Sequence, residues 1–319
     1  MSLNLNSCYL QSLLSLAAIL LLGAGAGHHT RPEPAGTNRT EVFMVAHADD
    51  WQLFMGDVAA KAIRNDKRTV FVYTTATDAG GEPAYWQAQE RAALASVAFA
   101  LGRLPADGVD QTDRQPLRVS CIDTQVMERP VHRCSIGPTV SYFLRLPDGN
   151  LKGEGFAATG CVSLDQLYNG RTASLTRVDG SGSFGTWDEL VTFVTDIVRT
   201  EAAATGRANE PVRIHAPDPD TSFNPKDHAD HRATGRLAAA IARTSGWSLT
   251  QYAGYSIANW PSNISAAAFA DKAALFMAYD RMRILANPEW STYALLPKPY
   301  SAFLSRTYVR PPDFTGQSQ

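Results

Sequence analysis

Glu41-Val42-Phe43-Met44-Val45-Ala46-His47-Ala48-Asp49-Asp50 is the stretch that decides how this chain folds. Glu41 to Ala46 is short and apolar on both faces, which predicts a strand buried in a parallel sheet. The stretch then breaks into small and acidic residues. From Asp49 to Arg64 a loop runs into a helix, with Leu53, Phe54, Val58, Ala59 and Ile63 near helical spacing. Thr69 to Thr75 reads as a second strand and Asp78-Ala79-Gly80-Gly81 as a turn. Tyr85 to Leu101 reads as a helix closed by Gly102. This order predicts an α/β fold of Rossmann-like form, with a mostly parallel sheet, right-handed crossovers and flanking helices.

Downstream the pattern changes and then returns. Val119 to Arg177 contains short alternating runs and many glycines, so a β-rich or irregular insert occupies about residues 119–180. Trp187 to Ala204 is helical, with Thr186 and Glu189 spaced as a capping box. Val212 to Ala216 is a strand, and His228 to Ala242 leads into a helix. The tail from Gln251 adds a strand and an Ala-rich helix around Ala266 to Asp280.

The 319 residues are 45% hydrophobic and 19% charged, with a formal net charge of −2, an ordinary globular balance. With no basic stripe, no nucleic-acid partner is expected. Leu13 to Leu22 is an apolar run followed by Ala24-Gly25-Ala26, a small-x-small signal that a signal peptidase accepts. Residues 1–27 are therefore expected to be a signal peptide of an exported protein. A membrane anchor is the alternative, and membrane contact is expected only if the segment is not cleaved. Residues 28–40 form a flexible lead-in, and 41–319 the folded domain. Cys121 and Cys134 could pair across a hairpin, leaving Cys161 free; three unbonded thiols are the other reading.

The chemistry lies in two clusters. His47, Asp49 and Asp50 sit just past the first predicted strand, and His228-Ala229-Asp230-His231 follows the strand Val212 to Ala216. Ligands of open α/β sheets bind outside the carboxyl ends of strands, so the fold brings both clusters to one sheet edge. A catalytic zinc takes about three protein ligands and an open position. His47, Asp50 and His231 can supply them. Asp49 is then placed as a general base beside the metal, and His228 as support for an oxyanion or leaving amine. Asp230 is expected to hold His228 in one tautomer. The alternative for an Asp-Asp pair after a strand is a helix cap. His215 reads as structural and His132 as a surface residue. Arg91 reads as a solvated helix residue, and Asp218 and Asp220 as turn residues. Tyr85 and Trp86 are read equally as a sugar subsite or as core. No G-x-G-x-x-G follows the first strand, which argues against a dinucleotide-binding protein.

With both motifs in view, the chain resembles the PIG-L/LmbE-like de-N-acetylases, zinc hydrolases that remove an acyl group from an amino sugar. The family's A-H-P-D-D-E stands here as Ala46-His47-Ala48-Asp49-Asp50-Trp51, and its H-x-D-H as His228-Ala229-Asp230-His231. The resemblance implies His47, Asp50 and His231 as ligands of one zinc per chain, with another divalent metal as the alternative. It implies Asp49 as general base, His228 as transition-state support, and a small-molecule or glycoconjugate amino-sugar substrate such as an N-acetylglucosamine compound. Ala48 replaces the proline without touching ligation. Trp51 replaces the glutamate and is expected to offer an aromatic face to a sugar ring. An amidase acting on a non-sugar N-acyl substrate and a catalytically silent carbohydrate-binding homologue are the alternatives.

Overall fold

The computed structural model describes residues 39–65, 67–103, 118–206, 211–291 and 300–312. The expected leader (1–27) and most of the lead-in lie outside these residues. No helix among the described residues is long and apolar enough to cross a membrane.

Strand β1 (Thr40–Val45) is fully buried. It runs parallel to β2 (Thr69–Thr75) on one side and to β8 (Val212–Pro217) on the other. Its alternate residues serve two cores. Phe43 and Val45 join Trp51, Phe54 and Phe71, while Val42 and Met44 join Leu190, Ile214 and Leu237. Apolar burial on both faces is what a sheet between two helical layers requires.

The full sheet has seven strands in the order β3-β4-β5-β2-β1-β8-β9. Here β3 is Ser120–Val126, β4 Arg129–Ile136, β5 Thr139–Leu146 and β9 Ser248–Tyr252. β5, β2, β1, β8 and β9 are mutually parallel, and β3 and β4 extend the sheet as an antiparallel meander. The mostly parallel α/β architecture read from the sequence is therefore present. The β-rich middle segment is built into the same sheet: β5 pairs directly with β2. Past β5 the chain becomes irregular, with only the short helix α4 (Leu164–Tyr168) and the two-residue strands β6 (Leu175–Thr176) and β7 (Ser183–Phe184).

One face carries α1 (Asp50–Phe54), α2 (Gly56–Arg64), α3 (Pro83–Arg103) and α7 (Ala266–Ala286). The other carries α4, α5 (Trp187–Ala203) and α6 (Ala229–Ser245). The Thr186 hydroxyl caps α5 by accepting from Glu189 N at 3.2 Å, and Glu189 reaches back to Gly185 N at 3.0 Å. Gly102 does not end α3. The helix runs one residue past it, so that glycine lies inside the last turn. Cys121 and Cys134 face each other across β3 and β4 and form a disulfide, and Cys161 is free and exposed.

Candidate metal centre and active site

The chain leaves β1 toward β2 and β5 on one side, and later fills β8 and β9 on the other. The boundary between β1 and β8 is thus the topological switch point, where open α/β sheets form a crevice. His47 follows β1, and Asp227 to His231 follow β8.

Asp50 organises the first cluster. One carboxylate oxygen, Oδ2, accepts the backbone N–H of Ala46 (3.0 Å) and of His47 (2.7 Å), which fixes the turn out of β1. The other oxygen, Oδ1, faces His231 Nε2 at 3.0 Å and His47 Nδ1 at 3.6 Å. His47 Nδ1 and His231 Nε2 are themselves 3.1 Å apart. Three donor atoms therefore form a triangle of edge 3.0–3.6 Å. Ligand atoms about 2.0–2.1 Å from a tetrahedral zinc stand about 3.3 Å from each other, so these residues fit a divalent ion.

The surroundings fit as well. His231 Nδ1 donates to Asp227 Oδ1 at 2.9 Å, so Nε2 is the nitrogen that faces the triangle and would offer its lone pair to a cation that takes the place of the ring's second proton. Asp227 is fixed in turn by Asn224 Nδ2 (2.6 Å) and the Tyr255 N–H (3.0 Å). His47 Nε2 turns to Asp230 Oδ2 at 3.4 Å and Asp148 Oδ2 at 3.7 Å. Burial disfavours charge on both rings, yet Asp50 with Asp230 raises His47, and Asp227 with Asp50 raises His231 to about 10. Burial likewise pushes Asp50 up, but the two imidazoles hold it well below the usual carboxylate range. These shifts share one cause: the carboxylates hold positive charge between the rings.

Asp49 occupies the cap position of α1, but its side chain makes no cap hydrogen bond. The carboxylate instead lines a cleft of about 140 Å³ beside His47, Asp148 and His228. Burial, reinforced by Asp50, pushes Asp49 up to about 6. His228 caps α6, its Nδ1 accepting from the Asp230 N–H at 3.1 Å. A neutral ring in that bond carries its proton on Nε2. Burial, with the neighbouring His47, lowers His228 to about 3, so the ring is neutral.

Two expectations are corrected. Trp51 offers no face to a sugar: it is fully buried, packs on Phe71 at 4.8 Å between centroids, and donates from Nε1 to Tyr73 Oη at 3.0 Å. It sits in the first helical turn after Asp50, on the side that faces the core. Asp230 does not hold His228 by its carboxylate, which is 3.7 Å from His228 Nδ1. That carboxylate accepts the Gly149 N–H at 2.7 Å and faces His47; the backbone of Asp230 holds His228.

His215 lies within β8, stacked on Phe43 at 4.6 Å, bonded to Tyr252 Oη (2.8 Å) and Glu41 Oε2 (3.0 Å). Arg91 is exposed. Tyr85 lines the cleft, whereas Trp86 is buried under the Arg145 guanidinium. Cys121, His132 and Cys134 also lie close together, but both sulfurs are committed to the disulfide.

The sequence reading passed over Asp227, Asp148, Tyr255, Tyr279, Arg283 and Tyr300, the last five of which line the cleft. Asp227 was within reach, since it directly precedes the H-x-D-H motif and a carboxylate beside a metal-ligating histidine is its usual orienting partner. The others carry no motif and come together only through the fold.

The fold and site define an α/β protein with a buried His/Asp cluster, suited to a divalent metal, at the switch point of its sheet. The family model for PIG-L, the GlcNAc-PI de-N-acetylase family, matches residues 42–242. The chain belongs to the PIG-L family. No curated protein matches it. Solved structures similar to it include N,N'-diacetylchitobiose deacetylase from Pyrococcus horikoshii, at 13% identity over 79% of each chain with TM-score 0.41. A deacetylase of teicoplanin biosynthesis is similar at 14% identity, covering 78% of this chain and 86% of that one, with TM-score 0.40. A conserved protein from Thermus thermophilus is similar at 17% identity over 79% of this chain and 83% of that one, with TM-score 0.38.

Proposed function

We propose that this protein is a zinc-dependent hydrolase that removes an N-acetyl or N-acyl group from an amino sugar. The observation that carries the reading is the convergence of His47, Asp50 and His231 beside a buried Asp49, in a chain of the PIG-L family. His47, Asp50 and His231 are the proposed ligands. A divalent ion there would supply Lewis acidity toward the amide carbonyl and lower the pKa of a bound water to about 7.

The chain's own residues do the rest. Asp49 takes the proton of the attacking water, whose oxygen bonds to the carbonyl carbon. His228 directs its Nε2–H toward the oxygen that gains negative charge. The C–N bond then breaks, the proton passes to the departing nitrogen, and a carboxylic acid and a free amine leave. Asp227 and Asp230 keep His231 and His47 oriented throughout.

Export is the companion reading. It is supported by the apolar run Leu13 to Leu22 with the small residues after it, and by the Cys121–Cys134 disulfide, which suits an oxidising compartment.

A panel of N-acetylglucosamine compounds and N-acetyl amino acids, read by amine release, tests the substrate class. Turnover of the sugars above the amino acids is expected. The reverse order would move the site to a non-sugar amide.

A further inference from the structure

The hairpin of β3 and β4 carries metal-ligating side chains that the proposed reaction does not use. Cys121, His132 and Cys134 present donor atoms that all lie within 4.8 Å of one another. The strand register explains why they meet. Cys121 pairs with Cys134, and Asp123 pairs with His132. Side chains two apart on a strand share a face, so all four stand on one face of the hairpin. β3 is the outer strand of the sheet; Cys121 is exposed on it, while Cys134 is buried on β4.

His132 links the two pairs. Its Nδ1 stands 2.7 Å from Asp123 Oδ1, and its Nε2 stands 3.5 Å from Cys134 Sγ. An ionised carboxylate only accepts, so Nδ1 donates to Asp123 and Nε2 is the nitrogen turned to the sulfurs. A carboxylate behind an imidazole, with the other nitrogen aimed at further donors, is how proteins orient a zinc-ligating histidine. Two thiolates and an imidazole suit a soft or borderline divalent cation. Thiolates about 2.3 Å from a tetrahedral zinc stand about 3.8 Å apart, which the span of the three donors allows.

While the two sulfurs are bonded to each other they ligate nothing. An external dithiol releases them. One thiolate of the reagent attacks the exposed Cys121 Sγ, the S–S bond breaks, and its electron pair leaves on Cys134 Sγ. The reagent's second sulfur then attacks the mixed disulfide and frees Cys121. The reagent ends as its own disulfide, and its two protons pass to the two cysteines. A cation that binds there displaces those protons. We propose that this hairpin is a redox-gated metal site: oxidised it holds the disulfide, and reduced it binds zinc or a similar divalent cation through Cys121, His132 and Cys134. The claim is independent of the deacylase reading, because His47, Asp50 and His231 include no sulfur.

The test compares the full chain as oxidised and after reduction by a dithiol that is then removed without oxygen. Each form is titrated with cobalt(II) and, separately, assayed for zinc content. A sulfur-to-cobalt charge-transfer band reports this site, since the other cluster has no thiolate. The band is expected in the reduced protein alone, with about one further zinc per chain. Cys121→Ser should abolish both, and because Cys121 is exposed the variant spares the core. Asp123→Asn should weaken cobalt binding by about tenfold, the usual loss when a ligand's orienting partner is removed. Cys161→Ser, at the free cysteine among the described residues, should leave the band intact.

A reduced wild type that gives no band and takes up no further zinc overturns the proposal. So does a band that survives in Cys121→Ser or vanishes in Cys161→Ser. A reduced His132→Gln that binds cobalt as tightly as wild type overturns it as well.

Discussion

Asp50 and Asp49 are neighbours with opposite assignments, and the difference comes from hydrogen bonds. Asp50 uses one oxygen on two backbone N–H groups and the other on the imidazole pair. Asp49 makes no cap bond, so its carboxylate stays in the cleft. His231 is likewise defined by what lies behind it. Asp227 fixes its tautomer, and this second carboxylate is buried and itself hydrogen-bonded on both oxygens. Replacing it as Asp227→Asn should weaken zinc affinity by about 10- to 100-fold, measured by competition with a chelating dye. An unchanged affinity would remove Asp227 from the site. At this scale the sequence was most legible. His47, Asp49, Asp50, His228 and His231 can be named because two short motifs bring their chemistry together before any fold is known. Trp51 was misread because its position in a motif says nothing about the direction it faces. One turn of helix points it into the core, where Tyr73 satisfies its N–H.

At the scale of elements, the loop after β5 matters as much as the two motif loops. Gly149 passes so close to Asp230 that a Cβ there would overlap the carboxylate and lie 2.8 Å from Ser163 Cβ. Gly149→Ala should push Asp230 off His47 and lower zinc affinity, while thermal unfolding of the metal-free protein moves less than for a core truncation. Equal zinc affinity in Gly149→Ala and wild type would show that the loop does not position the site. A second element-level feature ties β1 to β8 and β9. Burial pushes the Glu41 carboxyl up, but the hydrogen bond from His215, together with Arg39, brings it down to about 2. His215 is itself lowered by burial and so acts as a neutral ring, accepting from Tyr252 and donating to Glu41. A carboxyl depressed in the folded state stabilises fully above its ordinary value of 4.5 and loses that contribution as pH falls toward 2. The wild type should therefore lose stability on the order of 2–3 kcal/mol across that window beyond what Glu41→Gln loses, read by urea unfolding at each pH. Parallel curves for the two proteins would contradict this. Strand periods were readable around β1, β2 and β8, because each is a short apolar run. The middle segment was not placed, since its alternation reports a half-exposed hairpin but not which strand it joins.

For the whole molecule, the His/Asp cluster joins residues 47–50 to residues 227–231, nearly two hundred positions apart. A ligand that binds only the folded state stabilises it by about 2.7 kcal/mol at a hundredfold excess over its Kd. Stripping the metal with a chelator should lower the melting temperature by on the order of 5–10 °C, and zinc should restore it. Asp50→Ala should melt at one temperature with or without zinc. A wild type indifferent to zinc would mean that the two segments are not bridged. The parts of the cleft built by α7 and Tyr300 were illegible in the sequence because they are distant in the chain from both motifs. They meet the motifs only after the chain has closed, and a tyrosine and an arginine four residues apart on an Ala-rich helix look like any surface pair until α3 packs against them.

The central claim is that the cluster holds a metal and that Asp49 works beside it without ligating it. The most direct measurement is zinc content by elemental analysis together with amine release from N-acetylglucosamine compounds, for wild type and Asp49→Ala. About one zinc per chain is expected in both proteins, with turnover in the variant at least about a hundredfold below that of the wild type. A wild type that takes up no metal when zinc is supplied, or an Asp49→Ala that turns over as fast as wild type, would contradict it.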